Sequence, residues 1–318
     1  MTTTMRFPLD DLLDEDRCYA WLLRNLHPEG LHCPNGHDLP PDQCPHTRNR
    51  APVVEYRCRQ CHRVFNVFTN TALNGIRYPC SKLVMVLHGF MKGTPTLQMS
   101  DELSIDRSNL LTRRHDFQAL LQERFSPSAL LDHATEADEM FQNAGEKGIR
   151  HPDPEDPPRR RANKQRGHGN FDNDRPPIVS TVGRESGEVR MVMVERTDQA
   201  TLEAHIDRTT QADAHISTDE WSGYAGLSAM GRDHHTVCHN PAAREWARDD
   251  DGDGIREVHC NTQEGIWTGV RNFLRPFRGV SKWYLSGYVA VFAWAHNTVW
   301  ASPAFFSALL RCSSPEAT

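Results

Sequence analysis

The chain has 318 residues, which leaves room for more than one domain because a domain usually takes about 100–200 residues. Charged residues make up 25% and hydrophobic residues 38%, a composition that excludes disorder over most of the chain. The net charge of −6 disfavours binding of nucleic acid by overall charge, so such binding would depend on local basic residues. The acidic N-terminal sequence lacks the basic start and apolar run of a signal peptide, which predicts a cytoplasmic protein.

Residues 1–30 predict an N-terminal helix, because apolar residues recur at helical spacing from Leu12 to Leu26. Residues 31–75 predict a zinc ribbon, because two short motifs, CPNGH and CRQC, are separated by a loop. Structural zinc prefers four thiolate or imidazole ligands in a tetrahedron. The candidate ligands are Cys33, His37, Cys58 and Cys61. Nine cysteines, an odd number that includes a CxxC, fit metal binding better than a disulfide scaffold.

The fourth zinc ligand stays open at this point. Cys44 and His46 lie between the two motifs, and either can replace His37 because the spacing in CPNGH is permissive. A filled tetrahedron leaves no open position for catalysis, so the zinc would be structural. It would stabilise a module too small to fold alone and present basic residues to DNA. These basic residues are Arg57, Arg59 and Arg63.

Residues 76–130 predict a helix-turn-helix-like region. One helix lies in SKLVMVLHGFMKG, and a second and third are separated by a break near Ser104. We expect Ser108 to cap the third helix, which would be the DNA-reading one. The arginines on or beside that helix are Arg107, Arg113 and Arg114.

Residues 131–302 predict an α/β domain, followed by a tail at 303–318. Strand-like runs and one helical run give the order β-β-β-α-β, with two helical segments after them. The runs are ATEADEMF, PIVSTVGR, EVRMVMVER, the helical TLEAHIDRTT, and AHISTDE. Residues 145–177 lack periodicity and predict a long loop inserted in the domain. Its basic run, either a solvated loop or a DNA contact, comprises Arg159, Arg160, Arg161, Lys164 and Arg166.

Two aspartates at strand positions are candidate metal ligands. Asp138 lies inside ATEADEMF, where a buried acid is costly unless it binds a metal or a partner, and Asp219 ends AHISTDE. Two-metal phosphoryl chemistry needs carboxylates that converge from different elements. The alternative for each residue alone is a purely local role, because Asp commonly caps helices and starts turns.

A helix near residues 262–277 supplies the third candidate. Asn261, Glu264, Thr268 and Arg271 recur at three- and four-residue steps and so share one helix face. Glu264 or Asn261 can complete a metal site there, and Arg271 can hold a DNA phosphate. The alternative is an ordinary solvated amphipathic helix, whose apolar side would comprise Trp267, Phe273 and Phe277.

The sequence resembles insertion-sequence transposases of the ISXO-like group, which join an N-terminal zinc ribbon to a DDE-type catalytic domain with an RNase H-like fold. The resemblance covers nearly the whole chain. It rests on YRCRQCHRVFNVFTNTAL, EADEMF with GEKG, STDEWSGYAGL, and HHTVCHN followed by VHCNTQEGIWTGVRNFLRPFRGVSK. It implies an α+β multidomain protein: a zinc ribbon, a helix-turn-helix-like segment and an RNase H-like α/β domain with a mixed five-stranded sheet.

By this resemblance the family's first two catalytic aspartates fall on Asp138 and Asp219. The third ligand falls on Glu264 or Asn261, and Glu264 is preferred because a carboxylate binds Mg²⁺ better than an amide. The family's later basic residue falls on Arg271, where Lys is usual.

The resemblance implies that the protein nicks the ends of a bacterial insertion sequence and transfers them to target DNA. The expected cofactors are catalytic Mg²⁺ (or Mn²⁺) and structural Zn²⁺, and the expected partners are double-stranded DNA, at the element ends and target, and further copies of the chain in a homodimer or higher oligomer. Such a protein would be nucleoid-associated. One alternative is a zinc-dependent DNA-binding regulator that no longer cuts, and another is an RNase H-type nuclease acting on RNA–DNA hybrids.

Overall fold

A computed structural model describes residues 14–124, 128–159, 167–238 and 245–298. They form two compact units, divided between residues 124 and 128, with residue 298 grouped with the first unit. The predicted zinc-ribbon and helical segments both lie in the first unit, and their separation into two domains stays a prediction. Leu12, the basic residues from Arg160 to Arg166, and the tail at 303–318 lie outside the described residues.

The first unit combines four helices with a small antiparallel sheet of order β1-β2-β3. Its elements are α1 (Glu15–Leu26), β1 (Thr47–Arg50), β2 (Val53–Arg57), β3 (Val64–Phe65), α2 (Cys80–Met91), α3 (Thr96–Leu103) and α4 (Arg107–Arg124). Glu15 in the first turn of α1 accepts hydrogen bonds from the backbone amides of Cys80 and Ser81, at 2.7 and 3.1 Å. A carboxylate thus satisfies the free amides at the start of α2 and joins the two helices.

The predicted break between the second and third helices of this region is present, but its cap is not Ser108. Ser104 ends α3 in the left-handed conformation, with φ 50°. Asp106 then accepts a hydrogen bond from the amide of Asn109 at 2.9 Å. The cap prediction was wrong because Asp106, two residues earlier, reaches the free amides of the first turn equally well.

Arg114 is buried, although the sequence predicted that it would lie where a DNA-reading helix contacts DNA. It is 2% exposed, donates to Thr96 Oγ1 at 3.0 Å and to the carbonyl of Thr94, and lies 4.7 Å over the Phe90 ring. Its guanidinium therefore joins α4 to the start of α3 and to α2. Arg107, by contrast, is exposed.

The second unit contains the predicted mixed five-stranded sheet, with order β6-β5-β4-β7-β8. β4 is antiparallel to β5 and parallel to β7, and β7 is parallel to β8. The elements are β4 (Ala134–Phe141), β5 (Pro177–Gly183), β6 (Val189–Met193), α5 (Gln199–Thr209), β7 (His215–Asp219), β8 (Asp233–Val237), β9 (Ala247–Arg248), β10 (Val258–His259), α6 (Asn261–Leu274) and α7 (Lys282–Asn297). The order β-β-β-α-β is as predicted, and β8, in the segment HHTVCHN, is the strand that the sequence runs missed.

The central strand β4 supplies side chains to both faces of the sheet, as strand alternation requires. Met140 packs with Trp267 and Leu285 beneath α6 and α7. Ala137, on the other face, packs with Leu202 and other residues beside α5. Helices therefore cover both faces of a sheet whose first strand is central, the arrangement expected of an RNase H-like domain.

The described residues of the predicted insertion at 145–177 form a loop up to Pro177, where β5 begins, and an ion-pair cluster anchors them. Arg159 bonds Glu146 at 2.8 Å and Asp174 at 2.6 Å, and Lys282 at the start of α7 lies 3.4 and 3.1 Å from the same two carboxylates. Both carboxylates and Lys282 are buried, where an unpaired charge would be strongly unfavourable. Because each charge has a partner of opposite sign, the cluster can hold the loop in place. The first residue of the predicted basic run is thus an anchor of the insertion.

Candidate active site and metal cluster

Asp138 and Asp219 lie on neighbouring parallel strands and on the same face of the sheet. The register pairs Glu136 of β4 with Ser217 of β7, and each aspartate follows its paired residue by two positions. Because side chains alternate with a period of two, both aspartates point to the face covered by α6. Asp219 is the last residue of β7, and Asp138 lies three residues before the end of β4. The parallel pairing brings together two acids that are 81 residues apart in the sequence.

Hydrogen bonds orient both carboxylates. Trp267 of α6 donates its indole hydrogen to Asp138 Oδ2 at 2.7 Å, and the backbone amide of Glu139 donates to Oδ1 at 2.8 Å. The backbone amide of Trp221 donates to Asp219 Oδ1 at 2.9 Å. The sequence assigned Trp267 only to the apolar side of its helix; it is indeed buried, but it also contacts the site through its polar edge.

Helix α6 presents the predicted polar face to solvent. Asn261, Glu264, Thr268 and Arg271 are exposed. On the opposite side Gln263, Trp267, Val270 and Leu274 are buried. The predicted shared face is therefore present, and it begins in the first turn of α6, where a carboxylate is favoured by the helix dipole.

Burial, together with the negative charges of Asp219 and Glu264, raises the pKa of Asp138 to about 7, although the hydrogen bond from Trp267 acts in the opposite direction. Asp219 and Glu264 thus lie close enough to Asp138 to repel its charge. Carboxylates held together in this way suit a divalent cation, and their oxygen donors are those that Mg²⁺ prefers. The oxygen atoms of Asp138, Asp219 and Glu264 do not all lie within 4.8 Å of one another, whereas the ligand atoms of three other groups among the described residues do.

Glu136 fixes the start of α6 relative to β4. This fully buried carboxylate accepts hydrogen bonds from Thr262 Oγ1 at 2.8 Å and from the amide of Gln263 at 2.9 Å. Arg184 neutralises it at 2.8 Å and also donates to the carbonyl of His259 at 2.7 Å. Glu136 therefore acts as a cap supplied from the sheet, and it positions the helix turn that carries the third candidate ligand.

Glu139 is a further acid of β4, and no sequence pattern singled it out. It points to the opposite face of β4, where the hydroxyl of buried Tyr224 donates to it at 2.8 Å. Burial, then the charges of Asp138 and Asp219, raise the pKa of Glu139 to about 8. The adjacent acids in EADEMF were a signal for a charged strand end, but the sequence could not show which face each side chain occupies.

The four predicted zinc ligands of the first unit converge. Ligand atoms of Cys33, His37, Cys58 and Cys61 all lie within 4.8 Å of one another. Cys33 Sγ is 3.5 Å from Cys61 Sγ, and Cys58 Sγ is 3.3 Å from His37 Nδ1. A zinc tetrahedron with Zn–S of about 2.3 Å and Zn–N of about 2.0 Å places ligand atoms about 3.5–3.8 Å apart, so this Cys₃His cluster could bind zinc.

Hydrogen bonds from the CxxC backbone favour the thiolate that zinc requires. The amide of Cys61 donates to Cys58 Sγ at 3.5 Å, and backbone hydrogen bonds from Cys61 and Gln60 lower the pKa of Cys58 to about 6. Cys44, one alternative ligand, is exposed, and neither it nor His46 belongs to the cluster. His37 is thus the residue that the structure brings to the fourth position.

Comparison with known proteins agrees with the fold. The profile of the ISXO2-like transposase domain matches residues 136–297, half of the chain, and begins at the strand of Asp138. The chain belongs to this family of insertion-sequence transposases. It is also 25% identical over 239 residues to an uncharacterized protein in transposable element ISH50 of Halobacterium salinarum, covering 74% of this chain and 76% of the relative.

Two solved assemblies resemble the chain distantly. One is a simian T-cell lymphotropic virus intasome in complex with PP2A regulatory subunit B56 gamma (TM-score 0.29, 11% identity, 66% of this chain and 64% of that one). The other is a pre-cleavage Mos1 transpososome (TM-score 0.22, 11% identity, 66% of this chain and 73% of that one). These TM-scores are too low to support a fold, which follows instead from the strand order β6-β5-β4-β7-β8. In the described part of the chain, no helix is long and apolar enough to cross a membrane.

Proposed function

We propose that this chain cuts and joins DNA as the transposase of a bacterial insertion sequence, with Asp138, Asp219 and Glu264 as ligands of divalent cations, Mg²⁺ or Mn²⁺. The observation that carries the proposal is the partly buried position of Asp138, within reach of the charges of Asp219 and Glu264. The negative charges of Asp219 and the exposed Glu264 repel the partly buried Asp138 carboxylate, and a bound cation would offset that repulsion. Asn261 is the alternative third ligand, on the same helix face.

The proposed reaction has two transfers at phosphorus. Water adds to the phosphodiester at an element end, the bond from phosphorus to the 3′ oxygen breaks, and the element keeps a 3′-hydroxyl. That hydroxyl then adds to a target phosphodiester, whose own 3′ oxygen leaves. Bound divalent cations supply Lewis-acid activation of the attacking and leaving oxygens.

The chain's own residues would orient the metal-binding carboxylates and hold the DNA. Trp267 and the Glu139 amide fix both oxygens of Asp138, and the Trp221 amide fixes one oxygen of Asp219. Exposed Arg271, two turns along α6 from Glu264, would hold a DNA phosphate. No side chain of the protein is required as a nucleophile.

The first unit would bind the element ends. Its Cys₃His cluster, holding Zn²⁺, would present Arg57 and Arg63, and α4 would present Arg107. Arg114 is not part of this surface because it is buried. Two ends must be paired before joining, so we expect at least a dimer on DNA.

A strand-transfer assay tests the proposal. The substrate is duplex DNA carrying the inverted repeats that flank the coding region, with a supercoiled target, and DNA occupancy is measured separately by gel shift. We expect Asp138→Asn and Asp219→Asn to bind DNA normally and to lose cleavage and joining by about 10³-fold or more. Thr268→Ala, an exposed change on the same helix, is the matched control and should retain activity.

The rivals predict different products. Binding without cleavage by the unaltered chain at saturating Mg²⁺ would identify a DNA-binding regulator. Hydrolysis without any joined product would identify a nuclease. Joining that survives either aspartate change would refute the ligand assignment.

A further inference from the structure

A group of two histidines and one aspartate lies on the edge strand β8 of the five-stranded sheet and on its neighbour β7. His215 begins β7, and Asp233 and His235 lie on the neighbouring strand β8. The register pairs His215 with Asp233 and Ser217 with His235. Because side chains alternate along a strand, all four project from one face, and the parallel register brings residues that are 18 apart in sequence into contact.

The ligand atoms of this group converge as tightly as those of the cysteine cluster. His215 Nδ1 lies 3.1 Å from Asp233 Oδ2, and His235 Nε2 lies 3.0 Å from Asp233 Oδ1. The two imidazole rings are 4.4 Å apart, and one ligand atom from each of the three residues lies within 4.8 Å of the others. Two imidazoles and a carboxylate are a donor set that suits Zn²⁺.

The ring nitrogens that face away from Asp233 are held as metal-bound histidines are held. His235 Nδ1 lies 2.7 Å from Asp250 Oδ2, and Arg248 ion-pairs with Asp250. His215 Nε2 lies 3.4 Å from Ser217 Oγ. A carboxylate on the outer nitrogen of a ligand histidine fixes its tautomer and leaves the inner nitrogen as a lone-pair donor.

That tautomer places two hydrogen-bond acceptors, His235 Nε2 and an Asp233 oxygen, against each other, and a cation between them would remove the repulsion. When His235 Nδ1–H donates to Asp250, the Nε2 lone pair faces an Asp233 oxygen 3.0 Å away, and two acceptors in contact repel. Either a second proton on His235 or a metal ion must lie between them. The convergence of His215 on the same carboxylate favours the metal, because a second imidazole adds another donor atom to the same space.

We propose that His215, Asp233 and His235 form a transition-metal site of the zinc class, separate from both the cysteine cluster and the acidic active site. Asp219 is four residues beyond His215 on β7, about 13 Å at strand rise, so the ion cannot act on the same phosphate. With three protein ligands the site keeps one open position for water. Its effect is to tie edge strand β8 to β7 and, through Asp250, to the segment that follows β9.

Zinc stoichiometry tests the site. The full chain is dialysed to equilibrium against micromolar zinc in millimolar Mg²⁺, which occupies oxygen-donor sites, and bound zinc is counted by mass spectrometry of the elements. We expect two zinc ions per unaltered chain and one in His235→Gln and in Asp233→Asn. His234→Gln is the matched control, because His234 lies on the opposite face of β8, 2.9 Å from Thr218 Oγ1, and should keep both ions.

Two zinc counts would overturn the proposed site. One zinc in the unaltered chain would show that His235 carries a proton in place of a metal. Retention of the second ion by either variant would place that ion elsewhere, for example at Asp249, Asp251 and Glu257. Circular dichroism checks folding, and Asp233→Asn, at a half-exposed side chain, decides the question if His235→Gln fails to fold.

Discussion

Trp267 donates its indole hydrogen to Asp138 across 2.7 Å, so the helix that carries the third candidate ligand also orients the first. Trp267→Phe keeps an aromatic ring at this buried position but removes the hydrogen bond together with part of the ring volume, so the pH dependence and not the activity loss alone reports on the hydrogen bond. Because the hydrogen bond lowers the pKa of Asp138, its loss should raise that pKa. The joining rate should then begin to increase only at a higher pH. We expect an activity loss of about 10-fold, measured as a pH–rate profile.

The control is Trp283→Phe on α7, where the side chain is half exposed. It makes the same chemical change outside the site and should leave the profile unchanged. An unshifted profile in Trp267→Phe would mean that the indole has only a packing role.

Glu136 should matter more for the stability of the second unit than an acid in an exposed ion pair of the same unit. Glu136→Gln neutralises a fully buried carboxylate and leaves the largely buried Arg184 without its partner charge, which costs about 3 kcal/mol in the free energy of unfolding. Asp172→Asn removes the partner of Arg196 in an ion pair whose two side chains are both exposed, and it should cost less than about 1 kcal/mol. Chemical denaturation of both variants measures the difference, and equal losses would contradict the capping role.

The cysteine cluster gives a prediction about zinc content. Cys58→Ser should bind one zinc fewer than the unaltered chain and lose DNA binding, because a small ribbon is unstable without its metal. Cys44→Ser, at an exposed cysteine outside the cluster, should keep both properties. Loss of zinc from Cys44→Ser would return Cys44 to the ligand set.

His205 on α5 predicts a loss of stability in acid. It is 3% exposed, and neither ring nitrogen has a hydrogen-bond partner among the described residues. Burial, and then the charge of Arg208, lower its pKa to about 3. A depressed histidine pKa means that the stability is fully present above the unfolded value of about 6.5 and is lost as the pH falls towards 3.

Between about pH 7.5 and 5.5 this histidine should cost about 1.4 kcal/mol of unfolding free energy. His205→Leu should remove that part of the pH dependence, whereas His133→Leu, at an exposed histidine, should retain it. The measurement is urea denaturation at both pH values. The same pH dependence in all three proteins would show that His205 is solvated or paired.

The sequence predicted those features that depend on local pattern. Alternation and apolar runs located β4, β5, β6 and β7, and the spacing of Asn261 and Glu264 predicted their shared face. The fifth strand, β8, was missed because its sequence, DHHTV, is polar at an edge and lacks an apolar run. Edge strands are often polar, so their identity depends on the neighbouring strand.

Contacts between distant elements were beyond sequence reasoning. Arg114 looks like a surface arginine on a helix until its Thr94 and Phe90 partners are known. Trp267 has an apolar ring and a polar edge, and only the position of β4 shows where that edge points. The spacing favoured His37 as the fourth zinc ligand without excluding Cys44 or His46, and only the folded loop between the two motifs separates them from the cluster.

The central claim is that carboxylates of β4, β7 and α6 hold a divalent cation together, and iron-mediated cleavage tests it most directly. Fe²⁺ replaces Mg²⁺ at oxygen donors, and with ascorbate and peroxide it cuts the polypeptide beside the bound ion. We predict cuts near Asp138, Asp219 and Glu264 that excess Mg²⁺ suppresses and that Asp219→Asn abolishes. Cuts absent from these three segments, or unchanged in Asp219→Asn, would contradict the claim.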